Sequence, residues 1–474
     1  MRLFLVLAAL TASTPAWAVC TSVTGGVPSV IACPGLPDVT ANMGPNTCGP
    51  AGVGACIDDE VGFNPAVHPA SARLRRVDLT DPDATCNDGG EAVYYVRRAA
   101  STIDSDKWVI MLEGGGSAFR AADADLGRGI WERWTGDDGE YLSWIDKTSA
   151  RNNQTDVYVG GLLSAGSDFS GWNWVYVNYC SSDTWMGQAS GVEFYPSSGS
   201  TWGTWTDAGV TYYGFKADFN GHRIVEAVLD ELDAGLVMVD SDAVTWTYPS
   251  LANADAILFA GESAGGAGVT NNLDWVDARY PAADVTGSIG AHLKPAIGVS
   301  GVDPWFVDND FDTIDDLEEG YQNQWTQKGL VSGFVDQTCE AGASDWTCMH
   351  LYALEMAGDI TTTHLVKQDM SDPLLSGPYP SVGAFALGVR SAFVDIEALA
   401  GSATLFGPNF GQHETLSNAH HFNDRIRLCE PGPITHDVLW YNTALSRLVA
   451  GAPTSAWTTL VDGPSTWRTV PVCP

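Results

Sequence analysis

One stretch constrains this chain more than any other. The apolar run Ala256-Ile257-Leu258-Phe259-Ala260 breaks directly into Gly261-Glu262-Ser263-Ala264-Gly265-Gly266. Such a run, bounded by glycine, reads as a short strand buried on both faces. A helix-like stretch follows it to about Tyr280, so Ser263 falls on a sharp strand-to-helix turn. That context is what a G-x-S-x-G nucleophile turn requires. Small neighbours let the chain reverse, the hydroxyl rises to the carboxyl edge of a sheet, and the free N–H groups of the helix start face a developing oxyanion. In a chain with 51 Gly the bare motif would often arise by chance. The strand before it and the helix after it favour the nucleophile turn over an ordinary one.

The rest of the chain repeats the alternation. Glu91–Val96, Trp108–Leu112 and Trp174–Tyr179 have strand character, and further strands are expected at Ala296–Val299 and His364–Val366. Between them, His222 to Leu236 carries Ile224, Val228, Leu229 and Leu232 at helical spacing. Strands alternating with helices predict an α/β fold, a mostly parallel sheet covered by helices on both faces. With 474 residues, 45% of them hydrophobic and 17% charged, the chain can bury a large core, and global disorder is excluded. No internal repeat is present.

The first residues, MRLFLVLAALTASTPAWAVC, combine a basic Arg2, an apolar run from Leu3 to Leu10 and an Ala16-Trp17-Ala18 cleavage pattern. This predicts a cleaved signal segment over 1–18 and a secreted product, extracellular or periplasmic. The approach Trp17-Ala18-Val19 is a poor one to a lipidated Cys20, so a lipoprotein is the weaker reading. Ten cysteines lie beyond that site, an even number that points to disulfides in an oxidising compartment. No pair has C-x-x-C spacing, which argues against zinc. Cys339 and Cys348 are close enough to bridge locally, and Cys473 could tie down the C-terminus. Five cysteines fall before residue 90 in a segment rich in Gly, Pro and Thr. The domain reading is therefore a Cys-rich extension over 19–90 and a catalytic domain over 91–474.

A net charge of −35 would repel nucleic acid and anionic membrane surfaces, and no stretch is apolar and long enough for a membrane anchor. The sequence leaves the oligomeric state open. An acidic run, Asp308-x-Asp310-x-Asp312 with Glu319 at the twelfth position, mimics a calcium loop. Thr313 stands where the loop needs glycine, so a solvated acidic insertion is favoured, and no metal or other cofactor is expected for the chemistry. If calcium did bind there, a chelator would lower the melting temperature.

A second chemical signal precedes the serine. Leu112-Glu113-Gly114-Gly115-Gly116 ends an apolar strand, and glycine there lets backbone N–H groups approach a substrate oxygen with no Cβ in the way. Together with Tyr179-Cys180-Ser181-Ser182-Asp183, Asn220–Ala227, the Ser263 turn and Gly301–Asp308, these segments resemble the pectin acetylesterase and Notum family of α/β-hydrolase-fold esterases. The resemblance runs from about 91 to 425. It implies a serine carboxylesterase without cofactor, its partners following in the order Ser, acid, His.

The family acid lies a few residues after a buried strand ending in Gln or Asn, which after Gln368 indicates Asp372, with Asp369 as the alternative. Among His413, His420 and His421, the segment Gly411-Gln412-His413-Glu414 resembles the family's histidine loop and selects His413. The implied catalytic set is Ser263, Asp372 and His413, with an oxyanion hole from the N–H groups of Gly115, Gly116 and Ala264. The resemblance implies either acetyl groups on carbohydrate or a fatty acyl group on protein as the substrate, and acetylated carbohydrate is the preferred reading. Gly116-Ser117-Ala118 departs from the Notum pattern of an aromatic and Cys after the two glycines. Trp172, Trp174, Trp185, Trp202 and Trp205 are candidate sugar platforms, although aromatics at strand spacing are more often core. A catalytically inactive carbohydrate-binding protein on the same scaffold is the alternative outside enzymology.

Overall fold

The computed structural model describes residues 64–121, 125–135, 156–196, 202–295 apart from 208, 209 and 241, and 316–451 apart from short breaks between 377 and 437. Short strands at 19–24, 27–32, 60–62 and 459–461 are also described. The signal segment, the Ala296–Val299 strand, Cys473 and the acidic residues Asp308, Asp310 and Asp312 lie outside the described residues, whereas Glu319 falls in a helix over Asp316–Leu330.

Eleven strands form the main sheet. In chain order they are β1 (Glu60–Gly62), β2 (Leu74–Asp78), β3 (Val93–Arg97), β4 (Lys107–Leu112), β5 (Asp156–Val159), β6 (Asn173–Val177), β7 (Ala256–Glu262), β8 (Asp284–Gly290), β9 (His364–Lys367), β10 (Ala403–Gly407) and β11 (Thr459–Val461). Their spatial order is β11-β10-β9-β8-β7-β4-β6-β3-β2-β5-β1. Every neighbouring pair from β11 to β6 is parallel, and the pairs from β6 to β1 are antiparallel. The α/β class expected from the alternation is observed, and the arrangement is consistent with the α/β-hydrolase-like fold that the resemblance implies.

The central strands read as near-continuous apolar runs because both faces are covered. In β7, Ile257 and Phe259 join one core cluster while Leu258 and Ala260 join the other. In β4, Trp108, Ile110 and Leu112 face the first cluster, and Val109 and Met111 the second. The first face is covered by α1 (Leu126–Thr135), α2 (Gly221–Asp233), α3 (Ala264–Arg279) and α5 (Val382–Ala398); α4 (Asp316–Leu330) adds Tyr321 to the same cluster. The second face is covered by α6 (Tyr441–Val449) through Tyr441, Ala444, Leu445 and Leu448. In α2 the helical spacing read from sequence holds, with Ile224, Val228, Leu229 and Leu232 all buried.

Two disulfides are present among the described residues. Cys339–Cys348 closes the short local loop, and Cys86–Cys180 spans 94 residues. The longer bridge ties the segment after β2 to the loop after β6, and that loop lies behind the candidate site. Trp172, Trp174 and Trp185 are core residues, the last two fully buried, so they offer no face to a sugar. Trp202 is half-buried and packs edge-on against Phe215.

The parallel half matters most for function. Gly261 is level with Leu112 of β4 and Ile289 of β8, and Gly290 pairs with Lys367 of β9, which pairs with Phe406 of β10. The chain therefore leaves β4, β7, β8, β9 and β10 along one edge, the carboxyl edge where open α/β sheets place their sites.

Candidate active site

Ser263 begins α3 directly after β7 and holds φ 55° and ψ −123°. This region is sparsely populated by residues with a Cβ, costs about 1–3 kcal/mol, and persists only where the surroundings enforce it. Here they do. The Ser263 N–H donates to the Gly290 carbonyl at 3.0 Å, and the Ser263 carbonyl accepts from the Ala267 N–H at 3.0 Å. A Cβ on Gly261 would collide with the Gly265 carbonyl, and one on Gly265 with the Leu112 carbonyl of β4. Glycine at both positions is what lets the helix start this close to the sheet.

His413 reaches this serine from the segment after β10. Its Nε2 lies 2.8 Å from Ser263 Oγ, and its Nδ1 lies 2.8 Å from Asp372 Oδ2. With Nδ1 carrying the proton, the ring donates to the carboxylate and Nε2 accepts from the serine hydroxyl. Asp372 itself is fully buried in the turn after β9. Its Oδ1 accepts from the N–H groups of Leu374 and Leu375, both at 2.9 Å, and its Oδ2 also accepts from Gln368 Nε2 at 3.1 Å. Burial alone would raise the Asp372 pKa, but the hydrogen bonds from His413, the Leu375 N–H and Gln368 outweigh it and hold the pKa below the ordinary carboxylate value. Asp369, the other candidate acid, instead accepts from the Ser371 N–H at 2.8 Å. His420 and His421 lie outside the described residues.

The glycine loop after β4 is clamped from behind. Gly115 and Gly116 take φ values of 128° and 67°, which a residue with a Cβ rarely adopts. Arg133, buried on α1, donates from Nη2 to the Gly115 carbonyl at 2.9 Å and from Nε to Ser182 Oγ at 3.2 Å. Tyr179 donates its hydroxyl to the Gly116 carbonyl at 3.1 Å. In a trans peptide the N–H points opposite to the preceding carbonyl. Holding the Gly115 carbonyl therefore fixes the direction of the Gly116 N–H.

The loop carrying Ser182 is itself braced. Ser182, Thr184 and Trp185 all have φ between 54° and 62°. Asp183 stabilises that path, accepting from Ser181 Oγ and from the N–H groups of Trp185, Gly187 and Gly221. Burial dominates its titration and pushes its pKa up to about 6 against the pull of those donors. Sequence reading singled out the Tyr179–Asp183 segment but missed Arg133, which sits on a helix that carries no local motif.

Taken together, the geometry offers a hydroxyl, an imidazole that can accept its proton, and a buried carboxylate that can stabilise the resulting imidazolium, beside a rigid glycine loop. Among the described residues no three His, Cys, Asp or Glu side chains converge as a metal site.

Comparison with known proteins places the chain among carboxylic-ester hydrolases. The family described as Pectinacetylesterase matches residues 70–372. The chain is 28% identical over 295 residues to the palmitoleoyl-protein carboxylesterase NOTUM of Drosophila melanogaster, covering 60% of this chain and 36% of that protein. It is 27% identical over 306 residues to the Mus musculus protein of the same name, covering 60% and 49%. With the Homo sapiens protein the identity is 28% over 255 residues, covering 52% and 40%. The matched region thus spans half or less of the length of these relatives.

Proposed function

The chain belongs to the pectinacetylesterase family of carboxylic-ester hydrolases, and on that premise we propose that it is a secreted serine carboxylesterase acting through Ser263, His413 and Asp372. The reading rests above all on one observation, the His413 ring bridging Ser263 and Asp372 with two 2.8 Å contacts.

In the proposed reaction His413 Nε2 takes the proton of Ser263 Oγ as that oxygen attacks the ester carbonyl carbon. The carbonyl oxygen becomes an oxyanion held by the N–H groups of Gly115, Gly116 and Ala264. Asp372 stays ionised, fixes the ring tautomer and stabilises the imidazolium. Collapse breaks the carbon–oxygen bond to the alcohol, which leaves with the proton from His413. Water then gives a proton to His413 and its hydroxyl to the acyl carbon. Release of the carboxylic acid returns the proton to Ser263. The strain at Ser263 and the clamped glycine loop mean that little reorganisation is needed at the moment of reaction.

For the substrate we favour an O-acetylated carbohydrate, in line with the family description. The NOTUM relatives support a second reading, a longer acyl ester, through their designation as palmitoleoyl-protein carboxylesterases. Export is supported by the signal pattern and by the two disulfides; no helix among the described residues is long and apolar enough to cross a membrane.

Hydrolysis of p-nitrophenyl acetate, butyrate and palmitate by the wild type and Ser263→Ala tests the proposal. Acetate turnover that disappears in the variant supports the nucleophile and deacetylation. Preference for palmitate moves the assignment to a lipid deacylase. Undiminished turnover by Ser263→Ala overturns the catalytic set, and the absence of turnover by the wild type favours the binding-protein alternative.

A further inference from the structure

Glu262, the variable residue of the G-x-S-x-G turn, has no part in the reaction described above, yet it is fully buried. Side chains alternate along a strand, so Glu262 projects on the same face of β7 as Leu258 and Ala260. On that face it meets the segment just beyond His413. Glu262 Oε2 accepts from the N–H groups of Thr415 and Leu416, the latter at 2.7 Å. Glu262 Oε1 accepts from the N–H and from the hydroxyl of Ser417, both at 3.0 Å. Among the described residues this carboxylate is thus met by four N–H and O–H donors and by no basic side chain.

Three consecutive N–H groups converging on one carboxylate form an anion receptor built from backbone. Charge-assisted hydrogen bonds of this kind are about twice as strong as neutral ones, and a buried carboxylate has no water to fall back on. The segment it holds needs holding, because its described residues, 412, 413 and 415–417, belong to no helix or strand. A further backbone tie comes from the Leu162 N–H, which donates to the Leu416 carbonyl at 2.6 Å.

We propose that Glu262 is a positioning residue that sets the distance between His413 and Ser263. One rigid strand end carries both the nucleophile and the anchor for the histidine segment, so the two reacting groups share one reference point although 150 residues separate them. This inference rests on the Ser263–His413–Asp372 reading.

The test uses the purified full-length protein and the variants Glu262→Gln, Ser417→Ala and Ser263→Ala. An amide offers one acceptor oxygen where the carboxylate offers two, so Glu262→Gln leaves at least one backbone N–H facing an NH₂ group. A displacement of His413 by about 1 Å is expected to lower kcat by about 10–100-fold with KM little changed. The rate at which a fluorophosphonate labels Ser263 should fall in parallel, since labelling needs the same proton transfer. Ser417→Ala, which removes one donor of four, should lower both rates by a few-fold in protein that remains folded at the assay temperature.

Wild-type kcat in folded Glu262→Gln would overturn the proposal, and so would a loss that merely tracks the fraction of unfolded protein. If Glu262→Gln does not fold, Ser417→Ala decides: unchanged kcat and labelling rate overturn the proposal. Ser263→Ala separates the two levels. An inactive Ser263→Ala beside a fully active Glu262→Gln sinks only the role of Glu262, whereas an active Ser263→Ala sinks the catalytic reading and this inference with it.

Discussion

Replacing Asp372 by asparagine removes one charge and changes no shape, and the hydrogen bonds around it dictate the consequence. Oδ1 is held by two backbone donors, the N–H groups of Leu374 and Leu375. An asparagine must keep its oxygen there, which puts its NH₂ group where Oδ2 now faces His413 Nδ1. Gln368 cannot relieve the misfit by rotating its amide, because its Oε1 is engaged by the Leu293 N–H at 3.1 Å. The NH₂ group then donates to Nδ1 and forces the ring proton onto Nε2, facing Ser263 Oγ. In that tautomer Nε2 has no lone pair for the serine proton.

In serine proteases the same substitution of the triad acid costs about 10⁴-fold in kcat through the wrong tautomer, and a loss of that order is expected here, equivalent to about 5.4 kcal/mol of barrier. Asp372→Ala leaves a gap that water can enter and forces neither tautomer, so it should be the more active of the two. The assay is kcat on p-nitrophenyl acetate, corrected for background hydrolysis, with melting temperatures as the control for folding. Asparagine activity within tenfold of wild type, or above that of Asp372→Ala, would refute the reasoning.

Other outcomes follow from the same contacts. Arg133→Met frees the Gly115 carbonyl and is expected to cost up to about 10²-fold in kcat with little change in KM, because oxyanion donors act in the transition state; unchanged kcat would show that the loop holds itself. Loss of Cys86–Cys180 should cost about 4.7 kcal/mol and loss of Cys339–Cys348 about 2.6 kcal/mol, from loops of 94 and 9 residues, as read by urea denaturation of Cys→Ser pairs. A reversed order would reject loop entropy as the main effect. The buried His364 Nε2 lies 2.5 Å from Glu355 Oε1. Burial lowers the His364 pKa, but the charge and hydrogen bond of Glu355 outweigh it and raise the pKa above its unfolded value. That pair's contribution to stability is then complete below about pH 6.5 and lost as pH rises through the raised folded value. Glu355→Gln should flatten this part of the melting-temperature profile, and an unchanged profile would dismiss the pair as its source.

Several features could be read from the sequence because their physical causes are local. A strand buried on both faces must be an apolar run, hence Ala256–Ala260 and Trp108–Leu112. A helix start pressed against a sheet needs glycine, hence Gly261 and Gly265. Alternating strands and helices indicated the parallel half-sheet, and that half-sheet brings loops far apart in sequence to one edge. Aromatics at strand spacing indicated core, and Trp174 within Asn173–Val177 is core.

Tertiary structure decided the remainder. Asp369 and Asp372 are three residues apart and both fully buried, and no periodicity separates them; only the fold determines that Asp372 faces the His413 ring. Arg133 meets the Gly115 carbonyl because α1 lies across the first face of the sheet. Glu262 reads in sequence as one more polar residue in a turn, and becomes an anchor only when residues 415–417 fold onto it. The pattern of residues along a chain reports burial and local conformation, which depend on near neighbours. A hydrogen bond across 150 residues has no local signature, because either partner could satisfy itself elsewhere until packing removes the water and leaves one donor facing one acceptor.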